Sequence, residues 1–213
     1  MNVLRTWFKP CVRRKSTSTC PKWLKSIDAL DGLKRLADLP VHESHIPQLM
    51  RLSRALDIKP IRTPATNGQV GYIPLIEASR FTLCAFFLPK GTLLPYHDHP
   101  GMHVALRVLS GEMEVRSVDI QGPVTIGCEY EVKSESAVLV SPRSDICIVR
   151  PDKANLHQIT ALTDSMFLDF VVPPYSYDRS ITYFKRTRDS LTAVRERDVD
   201  LYMQYCDVNN HLD

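Results

Sequence analysis

The sequence predicts an all-β domain, a small sandwich or barrel, carried behind a helical N-terminal extension. Three observations predict it. From Gly71 onward, short runs rich in Val, Ile, Phe and Tyr alternate with turn residues, which is the pattern of many short strands. Before Gly71 the apolar residues fall at helical spacing and are cut by prolines. The composition, 44% hydrophobic and 24% charged over 213 residues, suits one globular domain with a sizeable core.

Taken in order, residues 1–22 read as a basic tail outside the fold. From Met1 to Ile27 there are seven basic residues (Arg5, Lys9, Arg13, Arg14, Lys15, Lys22, Lys25), no acidic one, and hydroxyl residues at all four positions 16–19. That composition suits a mitochondrial transit peptide. It suits a plain disordered tail as well, because Pro10 and Pro21 interrupt any amphipathic helix. Residues 23–60 form the helical extension. One helix is expected over 23–39 through Leu24, Ile27, Leu30, Leu33 and Leu36, ended by Pro40. A second runs through Ile46, Leu49, Leu52 and Leu56 and is closed by Pro60.

Residues 61–190 are the β-domain. It opens with a loop marked by Pro64 and Asn67-Gly68. Strands are expected at 71–77, 81–88, 104–109, 113–119, 137–140, 146–149, 156–161 and 167–172, with Gly91, Ser110-Gly111, Gly122-Pro123, Pro142 and Pro151 at the turns. Residues 191–213 carry charged and aromatic residues at helical spacing and are expected to be a helical C-terminal segment.

Several function classes drop out. A net charge of +3 supports no nucleic-acid role, and no stretch approaches the roughly 20 apolar residues that span a bilayer. The six cysteines (Cys11, Cys20, Cys84, Cys128, Cys147, Cys206) are scattered without a CxxC pair, so free thiols in a reducing compartment are expected. That places the protein in the cytoplasm or nucleus, with the mitochondrion as the alternative if the tail is a transit peptide. A monomer is expected.

Chemistry concentrates in Leu94-Pro95-Tyr96-His97-Asp98-His99-Pro100-Gly101-Met102-His103. Side chains alternate along a strand, so His97 and His99 point one way and Asp98 the other. Two imidazoles about 6–7 Å apart on one strand face can share a metal ion. An HxH pair alone is a weak signal, since such pairs also arise in exposed strands. His157, on the strand predicted at 156–161, supplies a third imidazole. Three neutral ligands leave a divalent cation its full charge, which attracts an anionic thiolate. His103 is not expected to be a ligand, because Pro100-Gly101 breaks the alternation, and His42, His45 and His211 are expected at the surface. Asp98 is expected to tie the strand to neighbouring backbone N–H groups, and Cys84 to be a small core residue.

The spacing G-x5-H-x-H-x11-G from Gly91 to Gly111 resembles the first motif of the cupin superfamily, and His157 stands where the second motif would place its histidine. Val104 occupies the position of a glutamate common in that superfamily, so a two-His-one-carboxylate site is not expected. The strings His97-Asp98-His99-Pro100-Gly101-Met102, Asn155-Leu156-His157 and Leu168-Asp169-Phe170-Val171-Val172-Pro173-Pro174-Tyr175 are similar to those of the cysteamine dioxygenase and plant cysteine oxidase family, over roughly residues 73–184.

The resemblance implies a cupin (double-stranded β-helix, jelly-roll) barrel holding iron(II). It also implies oxidation by O2 of a thiol with a nearby free amine, cysteamine or a protein N-terminal cysteine, to the sulfinic acid. Oxidation of such a terminus feeds arginylation and degradation, which implies an oxygen sensor in an N-degron pathway. By the same resemblance His97, His99 and His157 match the metal ligands, and Asp169 and Tyr175 match an acid and a phenol near the open face of the metal. Asp169 would hold the substrate amine or orient a ligand ring, and Tyr175 would donate to bound oxygen or sulfur. The plainer readings are a turn cap for Asp169 and a rigid exit loop for Pro173-Pro174-Tyr175. Members that crosslink Cys to Tyr carry Cys-x-Tyr where this chain has Ile181-Thr182-Tyr183, so that thioether is not expected. Two alternatives stay open: a cupin metalloenzyme acting on a non-thiol substrate, and a non-catalytic cupin that binds a small molecule.

Overall fold

In the computed structural model the described residues are 21–64 and 66–212. The expected tail at 1–22, with Cys11 and Cys20, therefore lies almost wholly outside them. Helix α1 (Asp28–Ala37) buries Leu30, Leu33 and Leu36 on one stripe, with Asp28 and Asp31 in its first turn and Lys34 and Arg35 in its last, the charge order that suits the helix dipole. It begins later than the apolar spacing predicted, because Leu24 makes a bridge to Ile58. Helix α2 (Ile46–Ala55) carries Pro47 in its first turn, where no backbone donor is needed, and buries Leu49.

Thirteen strands follow among the described residues: β1 (Val70–Glu77), β2 (Thr82–Leu88), β3 (Leu93–His97), β4 (His103–Ser110), β5 (Met113–Asp119), β6 (Glu129–Glu131), β7 (Ser134–Val140), β8 (Cys147–Val149), β9 (Leu156–Ala161), β10 (Ser165–Val172), β11 (Tyr183–Arg186), β12 (Ser190–Val194) and β13 (Met203–Tyr205). They form a six-stranded sheet in the order β13-β1-β2-β10-β4-β8 and a seven-stranded sheet in the order β6-β12-β11-β3-β9-β5-β7. This is the cupin barrel that the motifs implied. No helix among the described residues is long and apolar enough to cross a membrane.

Strand β10 shows how the layers are held. All eight of its residues are buried. Met166, Leu168, Phe170 and Val172 pack with Leu30, Leu33 and Leu49, so one face of the six-stranded sheet is covered by the two helices. Phe167 and Val171 join other apolar clusters, and Phe167, Asp169 and Val171 line the space between the sheets. A strand buried on both faces reads as a nearly continuous apolar run. Asp169 is the one charged residue in it.

The expectation for residues 191–213 is corrected. No α-helix forms among the described residues 191–212. Leu191 and Ala193 are buried at a two-residue period, β12 pairs with β11 and β6, and β13 pairs with β1 in parallel. Two single 3-10 turns at Glu196–Asp198 and Val208–Asn210 connect these pieces. The boundary drawn between 190 and 191 falls inside β12. Ladder partners far along the chain decide the outcome, and helical spacing of charged residues carries no information about them.

Candidate metal centre

His97 ends β3 and sits opposite His157 on β9 and Tyr183 on β11. The ladder slips between Leu94 and His97, and β3 stops there, so His99 lies in the following turn and not on the strand. That turn is fixed from two sides. Met102 N–H donates to the His99 carbonyl at 3.0 Å. The Asn155 side chain clamps the His99 backbone, donating to its carbonyl at 2.8 Å and accepting from its N–H at 3.1 Å. Asp98 turns away, as expected, and accepts from Thr182 N–H at 2.7 Å.

The three rings converge. His157 Nε2 lies 3.1 Å from His97 Nε2 and 3.2 Å from His99 Nε2, and all three residues form one group able to hold a metal ion. Two ring protons are held on the far side: His97 Nδ1 donates to the Pro95 carbonyl and His99 Nδ1 to the Tyr175 hydroxyl, each at 2.8 Å. Both Nε2 lone pairs therefore face His157 Nε2, which has at most one proton to share. A cation at the centre satisfies all three. With metal–nitrogen bonds of about 2.1 Å, nitrogens on one ion commonly lie about 3 Å apart, and the two spacings from His157 Nε2 are of that size.

Burial lowers all three histidines, His97 to about 4 and the other two well below their usual value, with His97 and His157 adding repulsion at His99 and His97 adding it at His157. Neutral imidazole is the form that ligates. His103 is buried on β4 opposite Val172 and is not part of the cluster. His42 is exposed, while His45 and His211 are half-buried.

The rings open onto a cavity of about 990 Å³, lined by Leu94, Ile159, Phe167 and Val171 among apolar residues and by Tyr72, Cys84, Asp169, Tyr175 and Tyr183 among polar ones. Asp169 is 6% exposed, its Oδ1 has no hydrogen-bond partner, and burial alone raises its carboxyl to about 8. It is no turn cap: it sits mid-strand on β10.

Tyr175 is placed differently from the expectation. Its hydroxyl donates to the Asp98 carbonyl at 2.7 Å and accepts from His99 Nδ1, so it holds a histidine ring and fixes its tautomer. Sequence reasoning missed Asn155, although it stood in the quoted motif; an amide next to a candidate ligand was the available signal. It also missed the cavity-facing side of Cys84, because one strand read alone does not say what lies across from it.

A family model described as PCO_ADO matches residues 35–205. The chain is 30% identical over 177 residues to a 2-aminoethanethiol dioxygenase of Homo sapiens, covering 68% of this chain and 66% of that one. It is 30% identical over 124 residues to plant cysteine oxidase 1 of Arabidopsis thaliana, covering 56% and 42%. The chain thus spans about two thirds of the first relative and less than half of the second. Among solved structures it is similar to an rmlc-like cupin protein from Desulfovibrio desulfuricans, at 21% identity and a TM-score of 0.38, over 54% of this chain and 90% of that one.

Proposed function

The chain belongs to the PCO_ADO family, and on that premise we propose that it is an iron(II)-dependent thiol dioxygenase. The substrate is a thiol with a free amine two carbons away, cysteamine or an N-terminal cysteine, and the net reaction is R–SH + O2 → R–SO2H. The observation that carries this reading is the convergence of three neutral imidazole nitrogens at one end of a cavity whose opposite sheet presents a buried carboxyl.

His97, His99 and His157 would hold the metal, with no anionic ligand to offset its charge. Iron(II), when bound, supplies the Lewis acidity and redox capacity by which O2 and a thiolate react. The protein's own part is to place the partners. Asp169 accepts the substrate ammonium, an ion pair that replaces the partner its Oδ1 lacks. Tyr175 and Asn155 keep His99 in position from behind. Leu94, Ile159 and Phe167 keep the reacting end apolar. Acting on N-terminal cysteines, the enzyme would tie the lifetime of its substrate proteins to O2, as a monomer in the cytoplasm or nucleus, or alternatively in the mitochondrion.

The test is incubation of the iron-loaded protein with cysteamine, a Cys-initiated peptide and its N-acetylated form, under air. A gain of about 32 Da, two oxygen atoms, is expected on the unblocked thiols alone. Asp169→Asn is expected to keep iron and lose roughly 10- to 100-fold in turnover. Equal oxidation of the acetylated peptide overturns the amine role. No oxidation with iron bound overturns the thiol dioxygenase reading and leaves a metal-binding cupin with another substrate or with none.

A further inference from the structure

Cys84 stands in the middle of β2, and the pairing with β10 sets it directly opposite Asp169. Directly opposed residues of an antiparallel pair present their side chains on the same face, with Cβ atoms about 5 Å apart. Here that face is the cavity wall, since Cys84 and Asp169 both line the cavity that also holds the three histidines. The Cys84 thiol is free and 3% exposed, and it makes a long contact, 3.9 Å, to the Asp169 backbone carbonyl. Beside it the Asp169 Oδ1 is buried with no hydrogen-bond partner. A thiol next to an unpartnered carboxyl, in a cavity of about 990 Å³, suits a molecule with both a sulfur electrophile and a cation.

We propose that Cys84 is a redox-modification site for amine-bearing disulfides, which set an ammonium on Asp169 and exchange with the Cys84 thiol to leave a reversible mixed disulfide in the cavity. In the exchange the Cys84 thiol gives its proton to water and the thiolate attacks one sulfur of the incoming disulfide. The Cys84–sulfur bond forms as the incoming S–S bond breaks, and the other half leaves as a thiolate that takes up a proton. The protein sulfur is oxidised as the departing half is reduced, so no further oxidant is needed.

The site selects its own ligand by charge. Burial first, then the charges of Asp169 and Glu77, hold the Cys84 thiol well above its ordinary value, while a hydrogen bond from Tyr72 works the other way. An ammonium seated on Asp169 cancels that carboxylate's repulsion and favours the thiolate it is about to react with. A neutral disulfide of equal size brings no such help. Once formed, the adduct occupies the space in which a substrate would meet the histidines. Oxidised aminothiols would thus close the pocket and a reductant would reopen it. That consequence rests on the proposed function, whereas the modification itself does not.

The experiment uses the full chain, freed of metal by a chelator and treated with cystamine or with the neutral 2-hydroxyethyl disulfide. Modified cysteines are then mapped by peptide mass spectrometry. Exposed Cys128 serves as the internal reference for ordinary exchange. An aminoethylthio adduct of about 75 Da, removable by dithiothreitol, is expected on Cys84. Normalised to Cys128, it forms about tenfold faster with cystamine than with the neutral reagent, and Asp169→Asn removes that preference. Equal rates with the two reagents overturn the proposal, as does an unlabelled Cys84 when Cys128 is fully labelled. The two-reagent comparison on the unmutated chain decides even if Asp169→Asn fails to fold. None of these readouts involves iron or O2, so their failure bears on the Asp169 ammonium seat and on Cys84, while the metal site and thiol oxidation stand or fall by their own test.

Discussion

Replacing Asp169 by Asn should change how the stability of the metal-free protein depends on pH. The carboxyl is raised from 3.8 to about 8 by burial alone. An acid with a raised folded value keeps its proton longer in the folded state than in the unfolded chain. Its stability contribution is therefore fully present below 3.8 and is lost as pH climbs toward 8, the reverse of a carboxylate in an ion pair. Each pH unit costs about 1.4 kcal/mol, so the roughly four-unit window is worth at most about 6 kcal/mol, and at pH 7 about 4 kcal/mol. Water entering the cavity lowers the desolvation cost, and we expect about half of that ceiling.

The histidines work in the opposite sense. Their lowered values mean that the neutral folded form is favoured above 6.5 and is undermined as pH falls below it. They are present in both proteins and cancel in the difference. Urea unfolding of wild type and Asp169→Asn from about pH 5 to 9 gives that difference directly, provided that the two share one m-value. Wild type should lose about 1–2 kcal/mol relative to the variant between pH 5 and 8 and show no further loss above. A difference that stays flat across that range would refute an isolated buried carboxyl.

Tyr175→Phe removes the hydroxyl between His99 Nδ1 and the Asp98 carbonyl while keeping the ring, so metal affinity should fall about 10- to 100-fold in a direct titration with the fold intact. An unchanged affinity would return Tyr175 to a purely structural role. His97→Ala, His99→Ala and His157→Ala should each abolish metal retention measured by elemental analysis, and any variant that keeps full metal strikes that histidine from the site. Gly111 has φ +79°, and a Cβ there would meet the Asp164 carbonyl and Ser165, so Gly111→Ala should cost at least about 1–3 kcal/mol in chemical unfolding. A neutral substitution would mean that the β4–β5 turn gives way easily.

The sequence by itself determined the β-domain, the two helices and the identity of the three histidines. Period-two runs such as 113–119 and 156–161 match β5 and β9, and leucine spacing located α1 and α2. Such signals survive in one dimension because each element alternates between a wet and a dry face along its own length. Apart from β8, the shortest strands did not carry them. β6, β11 and β13 are three or four residues long, and the first half of β7 is exposed and polar, so pairing with distant chain makes them strands.

The site divides along the same line. Three imidazoles in two motifs are a local signal. Their convergence is not, because His97 and His157 are sixty residues apart and meet only through the β3–β9 ladder. Tertiary structure alone turned Tyr175 toward His99, set Asn155 behind the same residue, and left Asp169 Oδ1 without a partner beside Cys84. Residue chemistry is written along the chain, whereas the surroundings that shift a carboxyl or hold a ring come from strands far away in sequence.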